Sequence, residues 1–187
     1  MEVVEAIKDL KQINSMKRYL KKQSERDYLL FLLGINTGLT ITELLDIRIS
    51  DLLEGDGICD FYTIKKDDLR DERKVYLNQK VKKEILHYVS ASNHEPDSYL
   101  FQSKKSKNHL SRQQAYRIIH QAAEALGIGS NIGTNSMRKT FGYHAYKRGV
   151  AISLLQKHFH HSTKQETYKF LGINKEEVTI PRIDVNL

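Results

Sequence analysis

The chain is poor in most of what would mark it as secreted, membrane-bound or disordered. Its one cysteine, Cys59, has no partner for an internal disulfide, and the neighbours Ile58, Asp60 and Phe61 suggest a buried thiol on a strand. Two prolines and no long polar low-complexity tract argue against a flexible linker or a disordered tail. No repeat of solenoid period is present. The longest apolar run, Tyr28 to Ile35, is interrupted by Gly34 and is too short to cross a bilayer. Glu2 and Glu5 stand where a secretory signal would be basic. A cytoplasmic protein with no membrane partner is therefore expected.

What is present suits one domain over residues 1–187 with its own core: 40% of the residues are apolar and 28% charged. The formal net charge of +7 and a pI near 9.3 favour a polyanionic partner, because clustered Lys and Arg displace counterions from a phosphate backbone. The basic stretches Lys17 to Lys22 and Lys104 to Lys107 read as solvated faces or as phosphate contacts.

Periodicity gives a mostly helical plan with a small antiparallel β-sheet, an α+β fold. Val3, Val4, Ile7 and Leu10 have helical spacing, and Ser24 opens a second helix containing Leu29, Leu30, Leu32 and Leu33. Thr40 and Glu43 have capping-box spacing, which predicts a short helix from about Ile41 to Ile47. Cys59 to Ile64 and Lys74 to Leu77 read as strands joined by a charged loop. Asn78 and Ser111 open two further helices, the latter ending at Gly127. Asn135 or Ser136 caps the next helix, which ends at Gly149 and places Arg138 in its first turn. A helix from Ile152 to Phe159 follows, and Thr163 with Glu166 opens a last one stopped by Gly172.

An arginine in a first helical turn is unfavourable beside the positive end of the helix dipole unless an anion arrives, which points to a phosphate ligand. His158, His160 and His161 lack a Cys, Asp or Glu at ligand spacing, so no metal and no cofactor is expected.

Three stretches, taken together, resemble the catalytic domain of the tyrosine recombinase (phage integrase) family: TGLTITELLDIRISDL, NSMRKTFGYH and HHSTKQETYKFLGI. They follow the family's order and spacing, with a lysine-bearing hairpin between the first two. The resemblance implies a mostly helical fold that clamps double-stranded DNA and serves recombination and integration, as in mobile elements. Active members cut one strand without metal through a 3′-phosphotyrosyl intermediate. The separate N-terminal DNA-binding domain usual in the family has no counterpart in these residues.

Carried over by position, the resemblance places Arg138 on the second catalytic arginine, His161 on the histidine of the last motif, and Lys65 or Lys66 on the hairpin lysine that protonates the leaving oxygen. Three positions depart from the pattern. Thr40 stands for the first arginine, Asn135 for the histidine before Arg138, and Phe170 for the nucleophile. Tyr168 is the alternative nucleophile, but at about 100° per residue it points about 200° away from Phe170 around a helix. An engineered Tyr-to-Phe change would account for Phe170 alone, whereas natural degeneration accounts for all three.

The expected function is a DNA-binding recombinase-family domain that cannot cleave. One alternative is an active recombinase using Tyr168; another is a protein-interaction module on the same fold. Lys104, Lys105, Lys107, Arg112 and Lys139 are the candidate DNA contacts. The tail 178–187, alternating and interrupted by Pro181, is expected to dock in extended form on its own or another subunit, giving a possible homo-oligomer.

Overall fold

Ser24 punctuates the first two helices. Its backbone N–H donates to Leu20 O and closes α1 (Leu10–Gln23), while its side chain accepts from Asp27 N and caps α2 (Glu25–Thr37). In this computed structural model, which describes residues 4–64, 73–129, 131–174 and 178, α2 lies at the centre. Leu29 to Leu33 are all buried, so α2 is apolar around its whole circumference rather than along one stripe. It packs on α1, on α3 (Ile41–Leu45), on α4 (Gln79–Ala91) and on α6 (Thr134–Lys147).

Two short antiparallel pairs follow α3: β1 (Leu53–Glu54) with β2 (Gly57–Ile58), and β3 (Phe61–Ile64) with β4 (Arg73–Tyr76). In the second pair Tyr62 faces Val75 and Ile64 faces Arg73. The period of two therefore puts Arg73 on the same inward face as buried Val75. The helix α5 (Arg112–Ala125) closes the larger core, and α7 (Ile152–Phe159) and α8 (Lys164–Leu171) pack on α6. The fold is mostly α-helical with small antiparallel β elements, as the periodicity predicts. Among the described residues no helix is long and apolar enough to cross a membrane.

Most of the predicted caps are in place. Thr40 and Glu43 form a reciprocal box, and Asn78, Ser111 and Thr163 each accept from the third residue of their helix. Several expectations need correction. Residues 4–9 are not helical despite Val4, Ile7 and Leu10, because Asp9 caps α1 at Leu10. The backbone groups ahead of Asp9 bond elsewhere: Glu5 N–H to Asn131 O, Ile7 N–H to Thr140 Oγ1, and Ile7 O to His144 Nε2.

Neither Asn135 nor Ser136 is the cap of α6. Gly133 holds that position, donating its N–H to Ser136 Oγ, and exposed Asn135 is the second helical residue. Arg138 is thus the fifth residue, beyond the first turn, and the argument from an unfavourable dipole does not apply to it. Cys59 lies between strands and is half-buried, with burial first and Glu54 next raising its thiol pKa. Lys65 and Lys66, and the tail apart from Val178, lie outside the described residues.

Candidate functional site

Arg138 is the one buried charged residue among the described residues, only 9% exposed. Two carbonyls fix its guanidinium. Nη1 donates to Gly38 O at 3.0 Å, and Nη2 donates to Phe159 O at 3.1 Å, with the group lying 4.8 Å from the centre of the Phe159 ring. Gly38 ends α2 in the left-handed conformation (φ 66°), and a β-carbon there would meet the Phe141 ring. A glycine is therefore needed at the point where the chain turns its carbonyl towards Arg138.

The adjacent carbonyls on both sides are also used. Thr37 O accepts from His158 Nε2 at 2.9 Å, which leaves His158 Nδ1 unprotonated in the neutral ring. Burial first, and the Arg73 charge second, push the His158 pKa down to about 4. His158 O accepts from Arg73 Nη1 at 3.4 Å, and Arg73 Nη2 pairs with Glu43 Oε2 at 3.1 Å. Arg73 and Arg138 consequently dock on consecutive carbonyls at the C-terminal end of α7, where the helix dipole favours cations. The Arg73 Nε–H is buried and has no hydrogen-bond partner among the described residues.

Glu43 is already engaged by the α3 cap, because its Oε2 accepts from Thr40 N at 2.8 Å while Thr40 Oγ1 accepts from Glu43 N. Burial opposes its charge, but the bond from Thr40 N and the Arg73 charge prevail and hold its pKa below the ordinary value. For Arg138, burial outweighs the help of Glu43, and Arg73 adds to the downward shift.

His161 enters from the turn between α7 and α8. Thr167 Oγ1 donates to Thr163 O and accepts from His161 Nδ1 at 3.1 Å, so the ring's Nε2 is unprotonated and available. Burial first lowers the His161 pKa; Glu166 opposes this and Arg138 adds to it. Phe170 packs on this histidine with ring centres 5.0 Å apart, lies 5.2 Å from Phe159, and has Lys139 Nζ 5.1 Å above its own ring. Tyr168 lies elsewhere, edge-on to Tyr146 at 5.8 Å. Burial first, and its hydrogen-bonded neighbour Tyr146 next, raise the Tyr168 pKa, the wrong direction for a nucleophile.

The candidate DNA contacts divide into three places. Lys104 and Lys105 line one depression with Arg26 and Arg117, and Arg117 also lines a second with Arg112, Tyr116, Ile41, Thr134 and Asn135. A basic rim therefore runs from the 102–109 loop along α5 to the start of α6. Lys107 instead lines a separate hollow with Glu95 and Asp97, and Lys139 sits beside Phe170. Thr40, Arg138, His161 and Phe170 gather around the ends of α2 and α7. Sequence reading missed Arg73 and Arg117, and took Glu43 only as a cap partner and His158 only as a metal ligand to be set aside; inward alternation along β4 was the available signal for Arg73. Among the described residues no group of three His, Cys, Asp or Glu could hold a metal.

Comparison with known proteins decides the family. The model of the phage integrase family matches residues 6–177, most of the chain. The chain belongs to the phage integrase family. This integrase-family chain is 35% identical over 176 residues to the "probable integrase/recombinase YoeC" of Bacillus subtilis, covering 94% of the chain and 93% of YoeC. In fold it is similar to crystalline XerA recombinase (TM-score 0.73, 19% identity, covering 90% of this chain and 59% of that one). It is likewise similar to XerH site-specific recombinase bound to a palindromic difH substrate after cleavage (TM-score 0.72, 17% identity, covering 93% and 51%). The chain thus spans somewhat more than half of either Xer protein. Membership places it, at family level, in DNA recombination and integration.

Proposed function

We propose that this integrase-family chain binds double-stranded DNA and holds a backbone phosphate at Arg138 and His161 without cutting the strand. The observation that carries the reading is the place of Phe170: its ring rests on His161 and Phe159, where the resemblance puts the attacking tyrosine. A benzyl side chain fills that space and has no oxygen to attack phosphorus. Thr40 is committed to the α3 cap, and Asn135 has no titrating nitrogen to move a proton. Loss of one preorganised donor to a developing phosphorane costs about 10²–10³ in rate, and loss of the nucleophile costs more. The basic rim of Lys104, Lys105, Arg112 and Arg117 supplies phosphate contacts that carry no sequence information. The DNA-bound state of XerH supports the same use of this fold.

The test is a nicked or suicide duplex offered to the unaltered chain and to variants. No covalent adduct forms with the unaltered chain or with Phe170→Tyr alone, whereas Phe170→Tyr with Thr40→Arg and Asn135→His restores measurable cleavage. Duplex binding persists throughout, with log K falling steeply against log salt. Lys104→Ala with Lys105→Ala flattens that slope by about 2. An adduct of the unaltered chain mapped to Tyr168 would overturn the non-cleaving reading, and absence of duplex binding at low salt would overturn the DNA reading in favour of a protein partner.

A further inference from the structure

Arg73 plays no part in the reading above, yet it is one of the most constrained cations in the molecule. Its side chain is 13% exposed and lies on the inward face of β4, a position fixed by the pairing of Arg73 with Ile64. Its guanidinium and that of Arg138 sit on consecutive carbonyls, His158 O and Phe159 O. Like charges held this close repel unless an anion lies between them. Among the described residues one carboxylate, Glu43, serves both, and its Oε2 is shared with the Thr40 N–H. His158 is neutral, so it offers no negative charge. The Arg73 Nε–H is buried without an acceptor among the described residues, an arrangement that costs free energy and that a bound oxyanion would relieve.

We infer that Arg73 supplies the second guanidinium ligand to the phosphate held at Arg138, from a strand of the hairpin rather than from the helix start that Thr40 occupies. The inference rests on the phosphate-holding reading of the pocket. Thr40 keeps the α3 cap intact, and Glu43, fixed by that cap, aims Arg73. The anion then accepts from Arg73 Nε–H and from the Arg138 N–H groups not used by Gly38 O and Phe159 O. Such a pocket grips a phosphodiester in its ground state and lacks the attacking oxygen.

The full chain is titrated with inorganic phosphate, against chloride at equal ionic strength, while the arginine Nε–H resonances are followed by NMR. In the unaltered protein Arg73 and Arg138 respond together, with one dissociation constant. Arg73→Lys preserves the ion pair with Glu43 but not the planar fork, and it weakens phosphate binding about tenfold or more. Arg73→Gln weakens it further. If the glutamine variant does not fold, the lysine variant and the Arg73 resonance of the unaltered protein still decide. An Arg73 resonance that ignores phosphate, or an Arg138 response whose affinity in Arg73→Lys and Arg73→Gln equals that of the unaltered protein, overturns the inference. A duplex titration run in parallel separates the two proposals: duplex binding with a silent Arg73 sinks this inference alone, and no duplex binding sinks the reading beneath it.

Discussion

Two apolar clusters meet along α6 and differ in kind. The larger runs from Ile7 through α1 to α5 and ends at Met137; it is mostly aliphatic, with many members fully buried. The smaller is built on Tyr143, Leu155, Phe159, Leu171 and Ile173, with Phe141, Tyr146, Tyr168 and Phe170 packed against it half-exposed. Met137 belongs to the first, and Arg138, the next residue, lies over a ring of the second. Aliphatic packing fixes a backbone but offers a ligand nothing to hold. Aromatic rings accept cations on their faces, and here Arg138, Lys139 and Lys8 sit over Phe159, Phe170 and Tyr143. The site lies where the aliphatic cluster meets the aromatic one.

The sharpest way to break this contrast is to cut into the aliphatic side. Phe31 is fully buried, so Phe31→Ala should cost about 3–5 kcal/mol and lower the thermal midpoint of the whole chain. On the aromatic side, pH provides the next largest effect. His158 titrates at about 4 when folded against an ordinary value of 6.5, so the unfolded chain binds the extra proton across that window. Stability is fully present above about 6.5 and declines as pH falls towards 4, by on the order of 2–3 kcal/mol. Denaturant melts across this range should show the decline in the unaltered chain and a smaller one in His158→Gln.

A subtler change separates the clusters without removing either. A β-carbon at Gly142 would lie 2.7 Å from Phe159 and nearer still to Leu171. Gly142→Ala should therefore push α7 and α8 outward at a cost of about 1–3 kcal/mol. Hydrogen exchange should quicken in α7 and α8 while α2 keeps its protection. The smallest effect is expected from Tyr168→Phe, which removes only the hydroxyl facing Tyr146. Stability should fall by about 1 kcal/mol or less, and duplex affinity should not change. A large loss of DNA binding would mean that the two ends of α8 are not divided as the rings suggest.

Local signals were the legible ones. The caps at Ser24, Thr40, Asn78, Ser111 and Thr163 depend on a few consecutive residues, so they could be read from the chain alone. The opposite directions of Tyr168 and Phe170 follow from helical geometry and correspond to separate surroundings, Tyr146 for one and His161 for the other. Residues 4–9 were misread because their apolar spacing mimics a helix, while the partners that hold them extended lie beyond residue 130. Arg73 was passed over for a similar reason. Its surroundings come from Glu43 and His158, far away in the chain, and no spacing within the hairpin announces them.

The extended segment 4–9 also has a consequence for the order of assembly. Ile7 bonds to Thr140, and Lys8 Nζ donates to Gly172 O just past α8, so the earliest described residues are fastened to partners 133 and 164 positions later. Contacts so distant cannot form until the chain has been made past Gly172, and their loop closure delays them relative to the caps and the helices of the larger cluster. A growing chain can therefore build much of α1 to α5 before Lys8 is fastened to the end of α8. The contacts that close the end of α8, the helix that carries Phe170, are then among the last to form.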